Sequence, residues 1–106
     1  MDLPIVAVME SESDVRLYRA LAEPTRRVIL DELQDRDGQS LFELCARLAA
    51  RHQISSSRQA VSQHLAVLEE AGLVRSRREG RTKLHSLSTA PLRSVLERWP
   101  LPPEEP

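Results

Sequence analysis

The clearest pattern of hydrophobic and polar positions in the chain lies within residues 55–72. There, Val61, Leu65 and Leu68 are separated by one helical turn each, which places them on one side of a helix. The pattern therefore predicts an amphipathic α-helix whose apolar stripe packs on a core and whose opposite side stays outside it.

Both ends of this helix carry local signals. Ser56, with Gln59 three residues later, has the spacing of a capping box, and Gly72 suits the left-handed residue that follows many helices. The outer side has no acid and no large hydrophobe, and its hydroxyl and amide groups match base-pair edges in a major groove. It consists of Gln59, Ser62, Gln63 and Ala66, with Arg58 beside them.

A β-hairpin is predicted directly after the helix, over residues 73–87. Glu79 and Gly80 supply the turn, and Val74 and Leu84 are the expected inward residues, whereas His85 is expected to face solvent. A basic hairpin after such a helix is the arrangement of a winged helix-turn-helix. The hairpin holds one acid against five basic residues: Arg75, Arg77, Arg78, Arg81 and Lys83.

Residues 58–81, RQAVSQHLAVLEEAGLVRSRREGR, resemble the ArsR-type bacterial transcriptional regulators, and LAEPTRRVIL at 21–30 is similar to the helix that opens their domain. The resemblance covers roughly residues 15–99. It implies a mainly α fold with a small β-hairpin, that is, a winged helix-turn-helix of five helices and a two-stranded wing. It also implies a homodimer through the terminal helices and repression of transcription from double-stranded DNA.

The remaining pattern predicts four more helices and three regions of the chain. Residues 1–13 form an arm, either frayed or strapped across a partner subunit, residues 14–99 form the DNA-binding and dimerisation domain, and residues 100–106 form a disordered tail. The four helices span 14–22, capped by Ser13 or Asp14; 24–34, starting at Pro24; 40–52, with a Ser40–Glu43 capping box; and 91–98, capped by Ser88 or Thr89.

The first and last helices carry apolar strips that the core of the domain does not require. We expect these strips to pair two subunits, which would present two recognition helices about 34 Å apart to an inverted repeat. The alternative is a monomer in which both helices pack on their own domain. The strips consist of Val15, Leu17, Tyr18 and Leu21, and of Leu92, Val95, Leu96 and Trp99.

The net charge of −1 first argues against a DNA-binding protein, but its distribution does not. Residues 47–83 hold eight basic residues, Arg47 and Arg51 among them, against three acids, so acidic flanks hide a basic half. The local field, rather than the total charge, attracts phosphate.

Enzymatic and metal-binding roles are disfavoured, and we expect no cofactor. The chain has no nucleophile–base pair, and Arg47 occupies the position where some ArsR-type proteins carry a second cysteine after Cys45. With no metal site expected, a small-molecule inducer is left open. The single cysteine indicates a reducing compartment, and no apolar run is long enough to span a membrane, so we expect a cytoplasmic protein.

We therefore expect a sequence-specific regulator of transcription that binds double-stranded DNA. The rival hypothesis is a protein-interaction module whose basic hairpin binds an acidic partner. His64 is expected at the edge of the apolar stripe, half-buried and within reach of a phosphate. The candidate DNA-binding residues are Ser56, Ser57, Arg58, Gln59, Ser62, Gln63 and His64 on the helix, and Arg75, Arg77, Arg78, Arg81 and Lys83 on the wing.

Overall fold

A computed structural model of the protein describes residues 10–104. Within this range the chain forms five α-helices and one antiparallel hairpin, as a winged helix-turn-helix requires. The part of the predicted arm at residues 1–9 lies outside the described residues. In chain order the elements are α1 Glu12–Ala22, α2 Pro24–Asp35, α3 Leu41–His52, α4 Arg58–Glu70, β1 Val74–Glu79, β2 Thr82–Leu87, a 3-10 turn at Ala90–Leu92 and α5 Arg93–Arg98.

One hydrophobic core joins the first four helices to the base of the hairpin. The predicted stripe of α4 is confirmed, since Val61, Leu65 and Leu68 are all buried. Ile54 packs against this core and anchors the connection between α3 and α4. The other core side chains are Leu17, Ala20, Ile29, Leu33, Leu44, Leu48, Leu73 and Val74.

Side-chain caps set where the first four helices begin, and the caps of α1 and α4 differ from the prediction. The Ser11 hydroxyl accepts a hydrogen bond from the Asp14 backbone N–H, so α1 begins at Glu12 and neither Ser13 nor Asp14 is its cap. The capping box of α3, between Ser40 and Glu43, is confirmed. A short polar side chain next to another of the same kind can cap equally well, so sequence alone does not select between them.

The start of α4 is the second difference. Ser57, not Ser56, accepts the hydrogen bond from the backbone N–H of Ala60, over 3.0 Å. The helix therefore begins at Arg58, and Gln59 lies in its first turn rather than closing a capping box.

Two arginines of α2 hold the end of α1. Arg26 donates from Nε to the Ala20 carbonyl and from Nη2 to the Arg19 carbonyl, over 3.0 Å and 2.9 Å. Arg27 donates to the Leu21 carbonyl over 2.7 Å. Because the last carbonyls of a helix have no partner within it, these guanidinium groups terminate α1 and set the α1–α2 angle.

Gly72 connects α4 to the hairpin in a conformation that only glycine adopts readily. Its φ is +79°, and the next backbone N–H, of Leu73, donates to the Leu68 carbonyl over 2.9 Å. A Cβ at Gly72 would lie 3.1 Å from Cγ of Pro91, so the 3-10 turn packs directly on this corner. The corner thereby brings β1 into contact with α4.

The hairpin has a two-residue turn of Gly80 and Arg81, so the predicted turn is one residue too early. The prediction that His85 faces solvent is wrong. His85 is buried, with 6% of its surface exposed, and exchanges two backbone hydrogen bonds with Gln39, while its Nδ1 lies 3.0 Å from the Gln39 carbonyl. The loop before α3 thus forms an isolated antiparallel β-bridge with β2 at Gln39, which sequence periodicity did not predict.

The last α-helix begins later in the chain than predicted. The residues after Thr89 first form the 3-10 turn, without a side-chain cap, and α5 follows from Arg93. Residues 100–104 have no regular secondary structure. Among residues 10–104 there is no helix with the length and apolarity needed to cross a membrane.

Candidate nucleic-acid interface

The outer side of α4 is open to solvent, as its polar composition predicts. Gln59, Ser62, Gln63 and Ala66 are all exposed, while the opposite side of the helix is buried in the core. Their side chains are amides, a hydroxyl and a methyl group, which can approach base edges closely without charge repulsion. This surface is therefore available to a duplex within the single subunit.

The wing lies beside this surface rather than behind the domain. A cleft of about 500 Å³ separates the start of α3, the outer side of α4 and the second strand of the wing. Helix α4 contributes Arg58, Ser62 and Ala66 to its lining. The wing contributes Arg81, Thr82 and Lys83. Part of the exposed helix surface, at Ser62 and Ala66, therefore borders the same cleft as the cations of the wing.

The basic side chains of the wing divide between its two faces. Residues opposite each other in an antiparallel pair share a face, and the faces alternate along a strand. Arg78 pairs with Lys83, on the face that also carries buried His85 and Val74 and so turns toward α4. Arg75 pairs with Ser86 and Arg77 with Leu84, so these two arginines leave the opposite face of the hairpin.

His64 lies against α2, on the flank of α4 away from the wing. Its side chain is 22% exposed, and its Nδ1 lies 3.4 Å from Nη1 of Arg26 and 4.0 Å from Oε2 of Glu23. Partial burial would raise the pKa of Glu23, but the Arg26 backbone N–H and the charges of His64 and Arg26 outweigh burial and lower it. His64 thus belongs to a polar cluster at the α1–α2 corner, apart from Gln59 and Gln63.

Two of the eight basic residues counted in the basic half are neutralised inside the subunit. The carboxylate of Glu32 is fully buried and lies 3.0 Å from Nε of Arg47 and 3.3 Å from Nε of Arg51. Asp35 completes the cluster, 3.0 Å from Arg47 and 3.3 Å from Arg51. Arg47 and Arg51 therefore add little to the basic charge of residues 47–83, which comes mainly from Arg58 and the wing.

Comparison with known proteins agrees with this arrangement. The family described as "Helix-turn-helix domain" matches residues 21–77. The uncharacterised HTH-type transcriptional regulator YuzN of Bacillus subtilis is 43% identical over 83 residues, covering 78% of this chain and 90% of YuzN. The ArsR-like transcriptional regulator from Rhodococcus sp. RHA1 superposes with a TM-score of 0.70 at 32% identity, over 81% of this chain and 72% of that one.

The chain belongs to the ArsR family of winged helix-turn-helix regulators. It is accordingly a transcriptional regulator that binds double-stranded DNA, and it is not an enzyme. Two further relatives bear names that state opposite effects on transcription, one activation and the other repression. The transcriptional activator HlyU of Vibrio cholerae is 37% identical over 87 residues, covering 82% of this chain and 74% of HlyU. The transcriptional repressor SdpR of Bacillus subtilis is 32% identical over 85 residues, covering 80% of this chain and 86% of SdpR.

The prediction that the outer side of α4 has no acid is wrong at the C-terminal end of the helix, where Glu69 lines the cleft of this ArsR-family regulator. Glu69, at the last turn of α4, accepts a hydrogen bond from the Ser76 hydroxyl over 2.6 Å and lies 3.9 Å from Nζ of Lys83. It therefore ties both strands of the wing to the recognition helix. The signal was present in the sequence, because Glu69 follows Ser62 by two helical turns and so shares its side of α4.

Cys45 lies partly buried on α3 of the regulator. Burial raises the pKa of the Cys45 thiol, and the charge of Arg58 opposes this only in part, so the thiolate that binds metals is disfavoured. Across residues 10–104, no three His, Cys, Asp or Glu side chains lie close enough together to hold a metal ion. Arg47, at the position of the absent second cysteine, is committed to Glu32.

The terminal helices of the regulator meet each other and leave an apolar surface. The Tyr18 and Trp99 rings lie 6.5 Å apart between centroids, and the Arg98 guanidinium lies 4.4 Å from the centre of the Trp99 ring. Leu17 is only 1% exposed and packs in the subunit core, so it has no surface left for a partner and its expected place in the interface is corrected. Val15, Leu96 and Trp99 are exposed by 37%, 46% and 56%.

Proposed function

We propose that this regulator represses transcription by binding an inverted-repeat operator as a homodimer. One observation carries the proposal: Ser62 and Ala66, on the exposed side of α4, line the same cleft as Arg81 and Lys83 of the wing. A helix lying in a major groove with a wing on the adjoining backbone needs this adjacency.

The side chains on the outer side of α4 are proposed to read base pairs. Gln59 and Gln63 have amides that can bind adenine through two hydrogen bonds, and Arg58 can reach guanine or a phosphate. Ser62 lines the cleft together with Arg58 and Arg81. Ser57 is proposed to contact the backbone at the start of the helix. Ser56, which does not cap α4, and His64, which faces α2, are proposed to have smaller parts in binding.

The wing is proposed to hold phosphates rather than to read sequence. Arg78, Arg81 and Lys83 lie at the tip or on the α4 side of the hairpin, where the backbone next to the bound groove passes. Arg75 and Arg77 leave the other face, so we assign them to the long-range field that draws DNA to the protein.

The homodimer is proposed to form through the surface that α1 and α5 share. Three large apolar side chains are exposed there in the single subunit, and Tyr18, Leu21, Leu92 and Val95 lie beside them, partly buried. Such a contiguous apolar surface on a small domain is typical of an association site. A two-fold axis through it would set the two α4 helices about one turn of DNA apart, roughly 34 Å.

Repression is proposed because a dimer on an operator occludes the promoter without further parts, as the name of the related repressor SdpR suggests. A related protein, HlyU, is named an activator, so repression by this regulator is tested directly by measuring transcription. A regulator that binds chromosomal DNA acts in the bacterial cytoplasm, which is the compartment we propose.

The test is footprinting on the DNA upstream of the regulator's own gene, followed by transcription from that promoter with purified protein. We expect protection of an inverted repeat at moderate salt and less transcript as protein is added. Protection of a single half-site would contradict the dimer, and more transcript on binding would contradict repression. If no duplex is retained at any salt concentration, the whole proposal fails.

A further inference from the structure

Phe42 is an exposed aromatic residue with no part in the fold. It is 70% exposed, whereas Leu41 beside it packs against the core. The Ser40–Glu43 capping box holds this first turn of α3 through hydrogen bonds of 3.1 Å in both directions, so the position of Phe42 is set by the backbone. Three of the other large exposed hydrophobic residues, Val15, Leu96 and Trp99, belong to the α1–α5 surface.

The surroundings of Phe42 show what would cover it. It lines the cleft between α4 and the wing, together with Arg58 on one side and Arg81 and Lys83 on the other. Lys83 lies 3.9 Å from Glu69 of the same cleft, whereas Arg58 and Arg81 form no ion pair within residues 10–104. An apolar partner protein would have to bury these two arginines without neutralising them, which is costly. A nucleic-acid strand instead offers phosphates to the cations and the carbon-rich face of a deoxyribose to the aromatic ring.

We propose that Phe42 packs against a deoxyribose of the DNA strand that passes through this cleft, between the groove entered by α4 and the backbone held by the wing. The inference rests on the proposed function and adds a contact that is apolar and independent of sequence. Every nucleotide carries the same sugar, so the contact strengthens binding to any duplex. It involves no charge, so it releases no counterions.

These properties give Phe42→Ala a signature that differs from those of its neighbours. We expect affinity to fall about tenfold, or about 1.4 kcal/mol, for the footprinted operator and for a random duplex of equal length. The slope of log affinity against log salt concentration should stay unchanged. Arg81→Ala should change that slope, and Gln63→Ala should affect the operator alone.

The experiment is a fluorescence-anisotropy titration of both duplexes over a range of salt concentrations. Phe42→Leu, which keeps apolar bulk, should recover part of the loss, and Leu101→Ala, at a residue 74% exposed in the C-terminal segment, should bind as the wild type does. Circular dichroism should show unchanged unfolding for Phe42→Ala, because the ring is outside the core.

Three outcomes would overturn the inference while leaving the proposed function standing. They are wild-type affinity for Phe42→Ala, a loss confined to the operator, which would put the ring on a base, and a changed salt slope. Failure of the wild-type protein to bind either duplex would instead refute the proposed function.

Discussion

Arg47 donates from its Nε to both carboxylate oxygens of Glu32, over 3.1 Å and 3.0 Å, and so joins α3 to α2 across the core. The Glu32 side chain has no exposed surface, and Arg51 and His52 approach its carboxylate at 3.3 Å and 3.7 Å. A charge that is buried and surrounded in this way orients α3 beneath the recognition helix.

Replacing Glu32 should therefore destabilise the protein strongly. Glu32→Gln removes the buried anionic partner of Arg47 and leaves it only the more exposed Asp35. We expect the free energy of unfolding to fall by about 3 kcal/mol. Urea denaturation followed by circular dichroism measures this. The matched control is Asp35→Asn, whose side chain is 54% exposed and whose loss should cost less than about 1 kcal/mol. Equal effects at the two positions would contradict the structural role of Glu32.

Gln63 is predicted to contribute to sequence recognition. Gln63→Ala should weaken operator binding by about 1–3 kcal/mol and leave binding to random DNA unchanged, because an amide that reads a base has no role on the wrong sequence. His64→Ala, one residue along but facing α2, is the control and should leave the ratio of the two affinities near the wild-type value. An equal loss on both duplexes for Gln63→Ala would remove this residue from the reading group.

Arg81 is predicted to bind phosphate. Arg81→Ala should weaken binding to all sequences and reduce the salt slope by about 0.9 for the phosphate contact that is lost. Arg75→Ala removes the same charge from the opposite face of the same hairpin and should change the slope less. Equal changes for the two variants would show that the wing acts only through its total charge.

Leu96 is predicted to lie in the dimer interface. Leu96→Glu places a charge in the α1–α5 surface, where burying it against a second subunit is unfavourable, so the protein should sediment as a monomer. Leu101→Glu introduces the same residue at a more exposed site and should leave the dimer intact. Analytical ultracentrifugation across a concentration series decides between these outcomes, and a wild-type monomer at all concentrations would refute the interface.

The capping box of α3 should make stability depend on pH. Hydrogen bonding from the Ser40 backbone N–H lowers the pKa of Glu43 below its ordinary value of 4.5. A carboxyl group with a lowered folded-state pKa stabilises the fold above its unfolded-state pKa, and that stability is lost as pH falls through the folded-state value. We expect the urea midpoint to fall below about pH 4.5, and to fall less steeply for Glu43→Gln. Identical pH profiles would exclude a contribution from this carboxylate.

Much of the fold could be predicted because it depends on neighbours in the chain. Three features depend only on residues close together in the sequence. They are the Val61–Leu65–Leu68 stripe, the Ser40–Glu43 cap and the hairpin around Gly80. Where two local choices were equivalent, as with Ser56 and Ser57, the sequence did not select the cap, because both side chains can accept the same kind of hydrogen bond.

The residue types of the candidate site could be predicted, but the partners of its charged and buried polar side chains could not. Arg47 and Arg51 count as basic residues in the sequence, yet their partners Glu32 and Asp35 lie a whole helix earlier in the chain. In the same way, His85 is buried by Gln39 across 46 positions. Such pairings follow from how the helices pack and leave no periodic trace.

By itself, the sequence determined which segments form helices, which side of α4 is apolar and which carries amides, and that a basic hairpin follows. Only the tertiary structure decided that Arg78 and Lys83 share the α4 side while Arg75 and Arg77 do not, that Leu17 belongs to the core, and that Phe42 opens on the cleft. The physical reason is range: backbone hydrogen bonding and side-chain periodicity act between near neighbours, whereas burial and ion pairing depend on residues that only folding brings together.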